Sequence, residues 1–135
     1  LRAAGGEYGA ATGRPRRVGP FDAVASRYGV RIQGCDEVAL TKLDVLSYLE
    51  KIPVCTAYTI NGKKTTEFPY SAELALAKPV IEYVDGWHCD ISNCRKPGDL
   101  PSAALSYIRY MEELAQCRIK YVSVGPAREE YIVMY

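Results

Sequence analysis

The sequence predicts an α+β fold: a mixed sheet with an antiparallel hairpin and several helices. Three observations carry that reading. Short apolar segments such as Val54–Ile60, Val80–Val84 and Ile119–Val122 have strand length and composition. Asn61-Gly62 stands between two of the strand segments and favours a tight antiparallel turn. From Ser102 onward, apolar residues recur at helical rather than strand spacing. Strands and helices are thus interspersed, with one clear hairpin.

Leu1 to Pro20 are rich in Gly, Arg and small residues, lack apolar periodicity and read as a loop. Asp22 is expected to cap a short helix that runs through Tyr28 and stops at Gly29. Glu37 to Leu40 reads as a buried strand, and Val45, Leu46 and Leu49 predict a helix lasting until Pro53. Val54 to Ile60 and Lys63 to Phe68 form the two arms of the hairpin. A short helix from Ser71 to Ala77 should end before Pro79, followed by a strand from Val80 to Val84. Asp85 to Leu100 is polar and turn-rich, a long loop in which Trp87 is either an anchor or a stacking platform. Ser102 is expected to cap the longest helix, whose buried face carries Ala104, Leu105, Ile108, Met111, Leu114 and Ala115. A strand from Ile119 to Val122 leads into Ser123-Val124-Gly125-Pro126, and Tyr131 to Met134 closes the chain as a strand. This organisation reads as one domain over 1–135, a loop at 1–20 and an α+β body at 37–135.

The 135 residues are 48% apolar and 24% charged with a formal net charge of +1, the composition of an ordinary globular domain. So little net charge argues against nucleic acid or a membrane surface as partner, and the longest apolar stretches are too short to cross a bilayer. Five cysteines at irregular spacing argue for reduced thiols and a cytoplasmic location rather than a disulfide framework. The first residue is Leu rather than Met, which suggests a piece of a longer protein. His88, Cys89 and Cys94 invite a zinc reading, but three candidate ligands and a marginal Cys-x4-Cys spacing favour plain thiols.

Three motifs carry chemistry. Thr41-Lys42-Leu43-Asp44 lies where a strand ends. A carboxylate there can accept hydrogen bonds from the ring N–H and exocyclic amine of guanine, while the lysine stem covers the face of the base. Adenine presents an acceptor to the same carboxylate and would be rejected by roughly 10⁴-fold. The same residues also suit a plain solvated helix start. Ser123-Val124-Gly125-Pro126, at the end of another strand, can offer backbone N–H groups to the guanine carbonyl, with Gly125 permitting close approach; a simple Gly-Pro turn is the alternative. The run Gly9-Ala10-Ala11-Thr12-Gly13-Arg14-Pro15-Arg16-Arg17 sets guanidiniums in a glycine-hinged loop, suited to a carboxylate or phosphate. A solvated basic loop is the alternative there.

Gly6 to Arg17 (Gly-Glu-Tyr-Gly-Ala-Ala-Thr-Gly-Arg-Pro-Arg-Arg) resembles the aspartate loop of adenylosuccinate synthetases, usually GEFGATTGRPRR. The resemblance continues through Leu40 to Leu46, Gly98 to Leu105 and Val122 to Pro126, in order and over nearly the whole chain. It implies the C-terminal domain of a larger α/β GTP-dependent ligase, cytoplasmic and homodimeric, joining IMP and L-aspartate at the expense of GTP with Mg2+. By that resemblance Ala10, Ala11, Thr12, Gly13, Arg14, Pro15 and Arg16 close over aspartate. Arg14 also touches IMP, and Arg16 also reaches the GTP ribose. Lys42, Leu43, Asp44, Ser123, Val124 and Gly125 bind the guanine. The partner of this part is the N-terminal part of the same enzyme. The family's GDEGKG phosphate loop is not in this sequence. Its proton-accepting aspartate and the phosphoryl-transfer histidine belong to the N-terminal part too. Catalytic groups and magnesium ligands are therefore expected outside this chain, which alone should be inactive. Two departures stand out. Ala11 replaces a threonine, and Gly19-Pro20-Phe21-Asp22 stands where Gly-Trp-Leu-Asp is common. From another class, the alternative is a stand-alone guanine-nucleotide-binding module without ligase activity.

Overall fold

A computed structural model describes all residues, Leu1–Tyr135. Seven strands, β1 (Phe21–Asp22), β2 (Glu37–Leu40), β3 (Lys51–Ile60), β4 (Lys63–Thr65), β5 (Lys78–Asp85), β6 (Arg118–Ser123) and β7 (Tyr131–Val133), are interspersed with α1 (Ala23–Gln33), α2 (Ser71–Leu74) and α3 (Ser102–Ala115). The α+β class is as the sequence predicts, but the strands form two mixed sheets rather than one.

In the first sheet β3 is central. β5 runs antiparallel along one edge, and the other edge is shared by β1, parallel near Val54, and β4, antiparallel near Tyr58. Asn61 and Gly62 turn the hairpin with φ of 50° and 79°, the left-handed pair that an Asn-Gly turn supplies. In the second sheet β6 is central, parallel to β2 and antiparallel to β7. Helix α3 packs on β5 and β6, and α1 packs on α3 and β3, so the helices join the two sheets. The main core forms at that junction, around Val54, Ile108, Met111, Val122 and Ile132, each no more than 1% exposed. The Asp85–Leu100 loop is pinned into the same core by Trp87, which donates from Nε1 to Ser47 Oγ at 2.9 Å. No helix is long and apolar enough to cross a membrane.

Several boundaries differ from the sequence expectation; among the strands, β3 starts at Lys51 rather than Val54 and β4 ends at Thr65 rather than Phe68. Helix α1 runs through Gly29 to Gln33, because the left-handed stop is Gly34 (φ 63°), whose following residue closes onto Val30. The expected helix over Val45–Leu49 is a single 3-10 turn, Leu43–Leu46. Its bonds span three residues (Ser47 N–H to Asp44 O, Leu49 N–H to Leu46 O), and Pro53 lies inside β3 opposite Tyr83 instead of ending a helix. Helix α2 stops at Leu74, short of Ala77. Ser102 is the first residue of α3 rather than its cap; Pro101 occupies the cap position with no side-chain bond.

Candidate functional site

β2 and β6 are parallel neighbours with Leu40 opposite Val122, so the chain leaves both strands at one edge of the sheet. The end of parallel strands is where α/β proteins gather ligand-binding loops. Here the two sequence-predicted motifs touch: the Lys42 backbone N–H donates to Ser123 Oγ at 2.7 Å. Lys42 itself is left-handed, φ 61°, a conformation that costs a side-chain-bearing residue roughly 1–2 kcal/mol. The Ser123 bond on one side and Leu43, 1% exposed in the core, on the other hold it there.

Asp44 follows in the 3-10 turn. Its Oδ1 is buried and accepts no hydrogen bond, the only buried side-chain nitrogen or oxygen in that condition. Leaving such an acceptor unsatisfied costs about 1–3 kcal/mol, so a buried group in that condition calls for an explanation. Across the contact, Val124 is fully buried and its N–H is committed to Glu130 O at 2.9 Å. Gly125 N–H makes no bond inside the chain. A Cβ at Gly125 would run into the Glu130 carboxylate, which accepts the Ala127 N–H at 2.7 Å. Glu130 therefore shapes the turn around Gly125, a role the sequence reading left unassigned.

The loop is built from its own turns. Gly9 N–H bonds Arg14 O and Gly13 N–H bonds Gly9 O, both at 2.8 Å. Thr12 Oγ1 accepts the Arg14 N–H at 3.3 Å, and Gly13 (φ 64°) takes the left-handed position the reversal needs. Ala10 to Pro20 are all exposed. Arg14 enters hydrogen bonds only through its backbone. Arg16 is different: its guanidinium donates to Glu7 Oε2 at 3.2 Å and its N–H to Glu7 O at 2.9 Å.

Glu7 is the residue the sequence reading missed. Its other carboxylate oxygen pairs with the Lys42 ammonium, which also donates to Gly5 O at 2.8 Å. A signal was available, since Glu7 is the sole acid before Asp22 among four arginines. The bond from Lys42 is the main cause holding the Glu7 carboxyl below the usual carboxylate range; burial opposes it, and Arg16 adds to the lowering. The sign is that of a depressed acid: the charged arrangement is intact above ordinary carboxylate pKa values and is lost only as pH falls through the lowered one.

Beside this junction lies a cavity of about 350 Å³, walled by Glu7, Thr41 and Lys42 on its polar side and by Phe21, Leu46 and Ile52 among its apolar residues. Asp44, Ser123 and Gly125 are not on its walls. The structure thus joins Lys42 to Ser123 directly and to Arg16 through Glu7, and leaves the Arg14 side chain tied to none of them. No three His, Cys, Asp or Glu side chains are grouped to hold a metal ion; Cys94 instead donates its thiol to Asp99 O at 3.3 Å.

The family model for adenylosuccinate synthetase matches residues 1–132. The chain belongs to the adenylosuccinate synthetase family. It is 47% identical over 133 residues to the adenylosuccinate synthetase of Bifidobacterium adolescentis, covering 98% of this chain and 31% of that protein. It is 49% identical over 135 residues to that of Geotalea daltonii, covering 99% of this chain and 31% of the relative. The structure of fully ligated adenylosuccinate synthetase from Plasmodium falciparum superposes with a TM-score of 0.92 at 37% identity, over 99% of this chain and 33% of that one. The chain therefore spans about a third of the length of these adenylosuccinate synthetase relatives.

Proposed function

We propose that this chain is the part of a GTP-dependent carbon–nitrogen ligase that selects guanine and steers L-aspartate. In the reaction the resemblance implies, GTP phosphorylates the 6-oxygen of IMP, and the aspartate amine then displaces phosphate to give adenylosuccinate. Asp44 accepts the ring N–H and the amine of guanine, Gly125 N–H donates to its carbonyl, and the Lys42 stem lies along its face. Arg14 and Arg16 grip the aspartate carboxylates with forked donors, Arg14 also meeting IMP and Arg16 the GTP ribose. The one observation that carries the purine half is the buried, unpartnered Asp44 Oδ1 beside the Lys42–Ser123 contact. A site with an acceptor and no donor to offer it calls for a ligand that brings the donors.

The same reading makes the chain inactive alone, cytoplasmic, and part of a homodimer with its N-terminal part present; sedimentation of the intact protein tests the dimer. Magnesium belongs to the activity by resemblance, but no residues here are grouped to hold it, so no step attributed to this chain runs through a metal. The decisive experiment is Asp44→Asn in the intact protein, with GTP, ATP and XTP as competing nucleotides. Two charge-assisted hydrogen bonds at about 1.5–3 kcal/mol each predict a fall in kcat/KM for GTP of about 100-fold or more. XTP should recover part of the rate, because the Asn amide can donate to the carbonyl that xanthine carries in place of the amine. Unchanged preference for GTP over ATP would remove Asp44 from the site.

A further inference from the structure

We infer that Glu7 is a positioning residue that couples the two ligand sites, its carboxylate tying Arg16 of the amino-acid loop to Lys42 of the purine site. The inference rests on the roles proposed above for Arg16 and Lys42, and adds that those roles are not independent.

The geometry is that of a two-handed clamp. One carboxylate oxygen is taken by Arg16, 3.2 Å away, and the other by the Lys42 ammonium. The backbone of the same residue is engaged too, with Glu7 O accepting the Arg16 N–H at 2.9 Å and Glu7 N–H bonding Arg2 O at 2.9 Å. Lys42 continues the path, since its own N–H is fixed on Ser123 Oγ at 2.7 Å. An unbroken polar chain therefore runs Arg16–Glu7–Lys42–Ser123, across segments that are 35 and 81 residues apart in sequence at its two later steps.

What the clamp fixes is what each ligand needs. With its ammonium held by Glu7 and by Gly5 O, Lys42 has its four-carbon stem stretched in a defined direction. A base lying on that stem stabilises the lysine position, and through Glu7 the Arg16 position. A guanidinium has five donors, and only one side-chain donor of Arg16 is spent on Glu7, so the others remain for a carboxylate ligand. Binding at either site thus lowers the ordering cost at the other, which is positive coupling by shared positioning. The side chains of Arg16 and Lys42 are 58% and 50% exposed. Exposed pairs of this kind add little to folding stability, so removing the charge should leave the fold intact.

The test uses the intact protein and initial rates with GTP and aspartate varied together. For the wild type, the KM for aspartate should fall by about fivefold or more between limiting and saturating GTP. Glu7→Gln should reduce that factor to about one, with kcat at saturation of both ligands changed far less than the coupling. Glu7→Asp, which keeps the charge on a shorter reach, should restore part of the factor. A Glu7→Gln protein that keeps the wild-type factor overturns the inference. So does a wild type without coupling, or a kcat loss with coupling intact and no recovery in Glu7→Asp, which is the signature of a merely structural role. Asp44→Asn in the same assay separates the two layers. If it shifts nucleotide preference while Glu7→Gln leaves coupling untouched, only the coupling falls. If Asp44→Asn leaves preference unchanged, the purine site and the coupling fall together.

Discussion

Leu43 and Val124, the residues inside the two strand-end motifs, are 1% and 0% exposed, whereas every residue from Ala10 to Pro20 is exposed. One half of the candidate site is therefore the rim of a packed core, and the other is a loop folded on its own short turns. The difference teaches that the two halves answer to different forces. Groups that read a rigid base gain from being held by packing, because discrimination by hydrogen bonds requires that a mismatched ligand find no relaxed alternative. Groups that close on a small flexible acid gain from an exposed segment whose internal bonds can give way. On this view substitutions at the strand ends change stability and ligand choice together, and substitutions in the loop change ligand binding alone.

The largest expected effect breaks the purine side through its packing. Leu43→Ala removes a fully buried side chain between Lys42 and Asp44, and should lower unfolding free energy by about 2–5 kcal/mol. Denaturant unfolding of the intact protein measures it, and GTP should weaken alongside. Next in size is Arg14→Leu. Its guanidinium makes no bond within the chain, so stability should not move. Loss of a charge-assisted hydrogen bond worth about 1.5–3 kcal/mol should raise the KM for aspartate by about 10- to 100-fold. The KM for GTP should change far less; an equal rise in both would erase the distinction between the halves.

How much of this was legible beforehand depends on what each signal rests on. The hairpin was legible because Asn61-Gly62 meets a local demand for two left-handed residues, which no tertiary contact has to supply. The Asp22 cap was legible for the same reason, with its Oδ1 accepting Ala25 N–H at 3.0 Å. The Leu43–Leu49 segment misled because apolar residues three apart serve a 3-10 turn as well as a helix, and the choice was made by Leu43 entering the core. Gly29 misled because helical glycine and stopping glycine look alike in sequence; only the Gly34 backbone is left-handed. At the site, the residues proposed to meet a ligand stand in motifs that the sequence displays, whereas those that hold them do not. Glu7 and Glu130 act on partners 35 and 5 residues away, through register and turn geometry that only the fold provides.

A smaller effect sharpens the joint between the halves. Asp22 ends the loop segment, enters β1 and caps α1, and its second oxygen accepts the Tyr58 hydroxyl. Burial, then the bond to Asp22, pushes the Tyr58 phenol well above its usual range, so it stays a donor at all working pH values. Asp22→Ala removes the cap and leaves that donor unmatched. It should cost about 1–2 kcal/mol of stability, read by thermal unfolding, with aspartate and GTP constants little changed. A large rise in either constant would mean that the body sets the loop's geometry more tightly than its exposed turns suggest.

The smallest expected effect is also the cleanest probe of the loop. Ala11 stands where the family pattern has a threonine, in an exposed segment whose bonds come from Gly9, Thr12, Gly13 and Arg14 rather than from position 11. Adding a hydroxyl there disturbs no packing, so stability should hold within about 0.5 kcal/mol. One new neutral hydrogen bond is worth about 0.5–1.5 kcal/mol, so Ala11→Thr should lower the KM for aspartate by about two- to tenfold. The KM for GTP should stay where it is, because the hydroxyl sits outside the Arg16–Glu7–Lys42 path. If Ala11→Thr tightened GTP as much as aspartate, coupling would have to reach the tip of the loop by another route. The contrast between a packed rim and a free loop would then give way to a single cooperative surface.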